Sequence, residues 1–215
     1  MVSGIIEYDG SHTISKLNAL QIDSKDISND IKFLRDTDWS CEDVQSFYRE
    51  YLKNFSGISE NGFLIIDDTV VEKQGKPKKI EGLGWHYSHT KGRAVYGHSI
   101  VTSHYRIGKI SFPYDFRFYL NEDVALKCNR EFKTKPEIAC DMINGFKQLR
   151  SEKIYCLVDS WYTSEKVIKS AKSRDFEVVG ALKSNRVFQF REHGEKHKLS
   201  TYVKNLRNTS FEKIL

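Results

Sequence analysis

Two uninterrupted apolar runs, each followed by aspartate, constrain the fold of this chain more than any other feature of its sequence. Residues 63–66 precede Asp67 and Asp68, and residues 154–158 precede Asp159. A continuous apolar run of this length is typical of a strand that neighbouring elements cover, whereas a strand with one wet face alternates polar and apolar residues. We therefore predict two buried strands, each ending at a carboxylate.

The segments around these runs alternate between helical and extended patterns. We predict a helix from Ser40 to Gly57, a basic glycine-containing loop at 71–97, strands at 97–105 and 109–119, a helix from Thr134, a helix at 163–174 and a strand at 176–182. Asp43 and Glu137 stand at capping-box positions of the two helices that begin at Ser40 and Thr134. The predicted fold is α/β (α+β), a mixed sheet flanked by helices and preceded by a small helical region.

Composition narrows the function classes. The chain has 34 Lys and Arg against 29 Asp and Glu, a net charge of +5, which fits a protein that touches phosphate on one face and keeps acidic groups for other work. The four cysteines lack C-x-x-C spacing, which argues against a zinc site or a disulfide framework. Without a signal peptide or a long apolar run, we expect a cytoplasmic protein with no membrane partner.

The two strand-end carboxylates suggest a metal site. Carboxylates that follow neighbouring strands converge at one edge of a sheet, and the repulsion between them is relieved by a divalent cation. Oxygen ligands of this kind suit Mg²⁺ or Mn²⁺. The alternative is that each aspartate only caps the turn after its strand. The residues alone leave both interpretations open.

The segments around both aspartates resemble those of a known family. Residues 63–105 are similar to the region of the first catalytic Asp in cut-and-paste insertion-sequence transposases of the DDE class, and residues 155–186 to the region of the second. Residues 38–52 also look like the short helical region that precedes these cores. The resemblance implies a helical region at 1–57, a ribonuclease-H-like catalytic core at 58–190, and the start of an inserted segment at 191–215.

The resemblance also implies the catalytic residues. The Asp that precedes Thr in the family motif is Asp68, and the second catalytic Asp is Asp159, both as ligands of Mg²⁺ or Mn²⁺ in two-metal phosphoryl transfer. Asp67 competes for the first position. Because successive strand residues face opposite ways, only one of the pair can enter the site. The motif favours Asp68.

The third acidic residue departs from the family pattern. In the family, a Glu follows the inserted segment on a late helix, whereas Glu192, Glu195 and Glu212 lie on no convincing amphipathic helix. We expect the third acidic residue beyond residue 215, and therefore a truncated chain that is partial or inactive.

The resemblance implies that DNA is the partner, and it suggests a homodimer on paired ends. Expected DNA-binding residues are Lys91, Arg93, Lys183, Arg186 and Trp161, and Tyr162 is a second aromatic that could stack on a base. The expected function is that of an insertion-sequence transposase, with metal-dependent cleavage and strand transfer at transposon ends. The alternative is a non-catalytic DNA- or transposase-binding regulator derived from one.

Overall fold

The computed structural model describes residues 13–20, 26–38, 40–54, 61–75, 77, 79–149, 151–189 and 194–204. The chain divides into two compact units, Met1–Tyr48 and Arg49–Leu215. This division falls inside a helix, and the predicted domain limits remain a prediction.

The first unit is helical in the part that the structure describes. It contains α1 (Ile14–Ala19), α2 (Ile27–Asp36) and the beginning of α3 (Cys41–Lys53). The Asn18 amide donates a hydrogen bond to Asp30 at 3.0 Å, which joins α1 to α2. At the start of α3, the Ser40 hydroxyl accepts from the Asp43 N–H and the Asp43 carboxylate accepts from the Ser40 N–H. The predicted capping box is therefore confirmed, and the predicted helix end at Gly57 lies outside the described residues.

The second unit contains the sheet. Its elements are β1 (Asn61–Glu72), β2 (Gly84–Ser88), β3 (Arg93–Ile107), β4 (Ile110–Tyr119), α4 (Glu122–Lys127), α5 (Lys135–Gly145), β5 (Lys153–Val158), α6 (Glu165–Lys172), β6 (Glu177–Gly180), β7 (Val187–Gln189), β8 (Lys196–Lys198) and α7 (Leu199–Lys204). Strands β7 and β8 form a small antiparallel hairpin that is separate from the main sheet, and the short helix α7 follows it.

The main sheet is mixed. β1 lies between β3, which is antiparallel to it, and β5, which is parallel to it, and β6 continues the parallel side. β2 and β4 both pair antiparallel with the other edge of β3, one after the other along its length. Helices α5 and α6 pack on each other, and α5 also contacts β3 and β4. A mixed sheet flanked by helices confirms the predicted fold class and is the arrangement expected of a ribonuclease-H-like core.

One predicted strand is too short, and one predicted loop is partly strand. β1 continues past the aspartates to Glu72 because β3 pairs with it as far as Gly97, whereas its pairing with β5 ends at Ile66. Part of the predicted loop at 71–97 is strand β2, whose residues alternate between buried and exposed. Strand β2 and the second half of β1 both form because they pair with β3, which is distant in sequence. A local apolar run does not reveal such pairing.

The core lies between one face of the sheet and helices α5 and α6. Its fully buried side chains include Leu64, Ile66, Val101, Tyr105, Ile143, Phe146, Ile154, Cys156 and Val167. Each buried aliphatic or aromatic side chain contributes about 1.5–3 kcal/mol relative to exposure. Cys156 was predicted to be a core residue, which is confirmed. Burial raises the pKa of its thiol to about 12, so it stays protonated at neutral pH.

A buried polar pair ties β3 to the segment before β5. The Tyr105 side chain is fully buried, and its hydroxyl donates a hydrogen bond to Glu152, which is also buried. The Leu149 N–H donates to the same Glu152 oxygen at 3.2 Å. Burial, followed by the nearby carboxylate, raises the pKa of Tyr105. A Cβ on Gly62 would lie 2.6 Å from the Tyr105 hydroxyl oxygen, so this contact requires glycine on β1.

Replacing Tyr105 with Phe is expected to lower the free energy of unfolding by about 1–3 kcal/mol, because Glu152 stays buried with one donor fewer. Urea denaturation of the full chain measures this change. Tyr87→Phe, which alters an exposed tyrosine on β2, is the matched control. Equal stabilities for the two variants would contradict the assigned importance of this hydrogen bond.

Candidate functional site

Asp67 and Asp68 point to opposite faces of the sheet. Asp68 is paired in register with Val101, a buried residue on the face that the helices cover, and Asp67 is paired with Thr102 on the other face. Asp67 is exposed, and its carboxylate accepts a hydrogen bond from the Asp68 N–H at 2.8 Å. Of the two competing carboxylates, Asp68 is the one that lies among the helices.

Both oxygens of the Asp68 carboxylate accept hydrogen bonds from side chains. Oδ1 accepts from the Tyr162 hydroxyl at 2.9 Å, and Oδ2 accepts from the Lys135 ammonium at 2.6 Å. The Asp68 and Lys135 side chains are each 20% exposed. Asp68 is thus a partly buried carboxylate whose negative charge is balanced by one ammonium group.

Asp159 directly follows β5 and organises the turn after it. Its Oδ1 accepts hydrogen bonds from the N–H groups of Trp161 and Tyr162 at 2.9 and 3.0 Å. Its main-chain carbonyl accepts from the Thr163 hydroxyl at 2.7 Å. Asp159 therefore does cap a turn, as the simpler interpretation of the sequence proposed. Its side chain is also exposed, so turn capping does not withdraw the carboxylate from solvent.

Tyr162 connects the two aspartates. Its hydroxyl donates to Asp68 and its N–H donates to Asp159, while its side chain is fully buried. Burial is the largest cause that raises the pKa of Tyr162, and the charges of Asp68, Asp67 and Asp159 raise it further. The suggestion that Tyr162 stacks on a base is wrong, because its ring is inaccessible.

Lys135 was not identified from the sequence. It is the first residue of α5, and its partner Asp68 is 67 residues earlier in the chain. Its ammonium also lies 5.4 Å from the centroid of the Tyr119 ring. The T-x-P-E pattern does predict a helix start at this point, but no local pattern shows which strand the lysine reaches.

The start of α5 is fixed by several hydrogen bonds. The N–H and the hydroxyl of Thr134 donate to the Glu137 carboxylate at 2.9 and 2.7 Å, so the predicted capping box position of Glu137 is confirmed. Lys166 of α6 donates to the same carboxylate at 2.9 Å. Lys166 first, and then the Thr134 donors, lower the pKa of Glu137 to about 2.

A buried histidine lies near this lysine. Within the described part of the chain, the Nε2 atom of His86 has no hydrogen-bond partner. Burial lowers the pKa of His86, the charge of Lys135 lowers it further, and Asp68 opposes these effects. His86 therefore favours the neutral form beside the Lys135–Asp68 pair.

Three of the five predicted DNA-binding residues lie together next to Asp159. The Lys183 ammonium is 4.3 Å from the centroid of the Trp161 ring, a cation–π contact. The Trp161 side chain is 54% exposed. Arg186 donates a hydrogen bond to the Thr163 carbonyl at 3.4 Å. This group, Trp161, Lys183 and Arg186, is called the Trp161 cluster below.

The other two predicted DNA-binding residues lie elsewhere. Lys91 and Arg93 both form ion pairs with Glu72 at the end of β1, Arg93 at 3.0 Å. A strand rises roughly 3.3 Å per residue, so Glu72 is about 13 Å along β1 from Asp68. Glu72 offsets part of their positive charge, and they do not join the Trp161 cluster.

The carboxylates of Asp68 and Asp159 are of the kind that binds a divalent cation. Mg²⁺ is commonly bound by one or two protein carboxylates together with substrate phosphate oxygens. Asp68 and Asp159 provide such carboxylates, and the ammonium at Asp68 shows that a positive charge is accommodated there. Among the described residues, no group of three or more His, Cys, Asp or Glu is placed to hold a metal ion. Of the candidate third acids, Glu195 is exposed, and Glu192 and Glu212 lie outside the described residues.

Comparison with known proteins identifies the family. The model of the family described as DDE superfamily endonuclease (DDE_5) matches residues 30–201. The chain belongs to this family. The DDE family is one of nucleases and transposases, whose members use divalent metal ions.

The chain is similar to a piggyBac transposase in a cryo-EM synaptic complex with hairpin DNA, with a TM-score of 0.45 and 15% identity. The match covers 86% of this chain and 34% of that chain, so this DDE-family chain spans about a third of that transposase's length. None of the curated proteins matches it. In the described residues, every helix is too short or too polar to cross a membrane.

The Glu137 carboxylate predicts a pH-dependent stability. Because its pKa in the folded protein is about 2, below the ordinary value of 4.5, the stabilisation it gives is present above pH 4.5 and is lost as the pH falls towards 2. Glu137→Gln is expected to make the fall in unfolding free energy across this window shallower. Urea denaturation at several pH values measures the slope. Glu122→Gln, at the start of α4, is the control, and identical slopes for both variants would contradict the assignment.

Proposed function

We propose that this DDE-family chain is the catalytic portion of an insertion-sequence transposase, which cleaves DNA at transposon ends and transfers the strand to a target with Mg²⁺ or Mn²⁺. The observation that carries this proposal is the position of Tyr162, which contacts Asp68 through its hydroxyl and Asp159 through its N–H. Carboxylates from two strands are thus held around one buried group. The proposed catalytic core is residues 58–190, after a helical region at 1–57 and before an inserted segment that begins at 191.

In this proposal Asp68 and Asp159 hold the metal. When bound, the ions would activate the attacking water or DNA 3′-hydroxyl and stabilise the leaving oxygen. The chain's own contribution is positioning. The Tyr162 hydroxyl, kept neutral by its raised pKa, donates to Asp68 and fixes Oδ1, whereas Oδ2, which contacts the Lys135 ammonium, is the oxygen that would take a metal ion. The two N–H donors at Asp159 fix that carboxylate in the same way.

The Trp161 cluster would contact the DNA beside the reacting phosphate. Lys183 and Arg186 carry positive charge next to the turn of Asp159, where they would contact the backbone in a salt-dependent and largely sequence-independent way. The exposed Trp161 ring has one face towards Lys183, and its other face would stack on an unpaired base. Lys91 and Arg93 would contact DNA farther along, and two copies of the chain would act on paired ends.

The catalytic assignment is tested by exchanging single carboxylates. Both variants are made in a version of the chain that is extended through the downstream coding segment, since the third acidic residue is expected there. We expect Asp68→Asn and Asp159→Asn each to reduce Mn²⁺-dependent cleavage of a plasmid carrying the DNA that flanks the gene by more than the roughly 10–100-fold that loss of an outer-shell partner costs, since each removes a metal ligand. Asp67→Asn is the matched control, because it changes the adjacent carboxylate on the opposite face and should leave cleavage within a few-fold of the parent chain.

The pattern of losses distinguishes the alternatives. Loss of cleavage with Asp67→Asn and not with Asp68→Asn would reverse the assignment of the first ligand. Binding of the flanking DNA without cleavage, unchanged by Asp68→Asn or Asp159→Asn, would instead favour the non-catalytic regulator.

The Trp161 cluster predicts two separable effects on DNA binding. Trp161→Ala should weaken binding to single-stranded or unpaired DNA by about 1–3 kcal/mol through lost stacking. Lys183→Gln should reduce the slope of log affinity against log salt by about 1, through loss of one phosphate contact. Fluorescence anisotropy over a series of salt concentrations measures both. Trp85→Ala, which removes a similarly exposed tryptophan on β2, is the control and should leave the affinity unchanged.

A further inference from the structure

Lys135 occupies the position at Asp68 that a metal ion would need. Its ammonium lies 2.6 Å from Asp68 Oδ2, while Tyr162 takes Oδ1, so side-chain donors contact both oxygens of the carboxylate. Asp68 and Lys135 are each only one-fifth exposed, whereas both partners of the Lys127–Asp123 and Lys169–Glu165 surface pairs are at least 70% exposed. Solvent therefore screens it less than it screens the surface pairs.

Contacts at the start of α5 fix the position of the Lys135 ammonium. Lys135 begins α5, whose first turn is closed by the Thr134 and Glu137 hydrogen bonds. Glu137 is in turn bonded to Lys166 of the neighbouring helix. The Tyr119 ring lies 5.4 Å from the ammonium on the side of β4. A helix end held at these points directs the lysine towards β1 without help from any ligand.

Lysine and metal must compete for Asp68. Mg²⁺ binds carboxylate oxygens at roughly 2.0–2.1 Å, and a second cation that keeps its own contact with the same oxygen would meet strong repulsion. Binding of the ion therefore requires Lys135 to leave Oδ2. By linkage, whatever free energy the lysine contributes at Asp68 is subtracted from the binding of the ion.

We propose that Lys135 is the resident counter-cation of Asp68, which balances this carboxylate in the metal-free protein and is displaced from Oδ2 when a divalent ion binds. This inference rests on the proposed function in one respect, that Asp68 is a metal ligand. Lys135 is then a positioning residue that sets the metal affinity. Its ammonium, released next to the site and still beside Tyr119, is available to the phosphate of bound DNA.

The test is a Mn²⁺ titration of the full chain, followed by electron paramagnetic resonance of the free ion. We expect Lys135→Met to bind Mn²⁺ roughly tenfold more tightly than the parent chain, a coupling of ordinary size. Its melting temperature should be lower without metal, and Mn²⁺ should raise it by more than in the parent. Lys133→Met is the matched control, because Lys133 lies two residues earlier and pairs with Asp141 instead, so its affinity should equal that of the parent.

The outcomes separate this inference from the proposed function. If Asp68→Asn leaves the Mn²⁺ affinity of the parent chain unchanged, Asp68 is not a ligand and the proposed function fails at this residue. If Asp68→Asn weakens binding but Lys135→Met binds no more tightly than the parent, only the role of Lys135 is overturned.

A second measurement needs no variant and covers the case in which Lys135→Met does not fold. A crystal structure of the parent chain with Mn²⁺ should show the Lys135 ammonium displaced from Asp68 Oδ2, with the ion in its place. An ammonium that still donates to Oδ2 beside a bound ion would overturn the inference.

Discussion

The long antiparallel pairing between β1 and β3 is the interaction on which the rest of the site depends. β5 pairs with β1 only as far as Ile66, but β3 continues the ladder to the end of β1. This additional pairing keeps Asp67 and Asp68 in extended backbone, where alternation forces their side chains to opposite faces. Asp68 therefore enters the space under the helices just beyond the end of β5, where Asp159 emerges.

The partly buried Asp68 carboxylate needs hydrogen-bond donors and a positive charge nearby, and the surrounding elements supply both. Isolating the Asp68 charge from water without partners would be costly. Tyr162 provides a neutral donor from the turn after β5, and Lys135 provides a positive charge from the start of α5. Each partner comes from a different part of the chain, so this one side chain joins β1, α5 and the β5–α6 turn. Tyr162 also contacts Asp159 through its N–H, so the same residue links the strand-end carboxylates of β1 and β5.

The basic residues that were predicted to bind DNA form two groups, and these groups differ in the charges and rings that surround them. In the Trp161 cluster, the Lys183 ammonium lies over the Trp161 ring. Lys91 and Arg93 share the carboxylate of Glu72, which reduces the field they present to a phosphate. For the proposed DNA binding, the cluster beside Asp159 is therefore the stronger contact, and the β2–β3 hairpin that carries Lys91 and Arg93 is the weaker one.

The sequence by itself determined the fold class, the order of the main elements and the first residues of two helices. Apolar runs, capping boxes and β-branched segments are local signals, and each depends only on a few neighbouring residues. The same signals, with the family resemblance, singled out Asp68 and Asp159, and alternation along a strand showed that Asp67 and Asp68 could not share one site.

Only the tertiary structure decided the extent of β1, the existence of β2 and the partners of Asp68. Strand β2 and the second half of β1 exist because they pair with β3, and Lys135 reaches Asp68 across 67 residues of sequence. Tyr162 is three residues from Asp159, yet its ring turns inward to Asp68 and not outward to solvent, because burial of the ring and a hydrogen bond to a charged group favour that orientation. Such contacts join residues far apart in the chain, and no local pattern encodes which residues will meet.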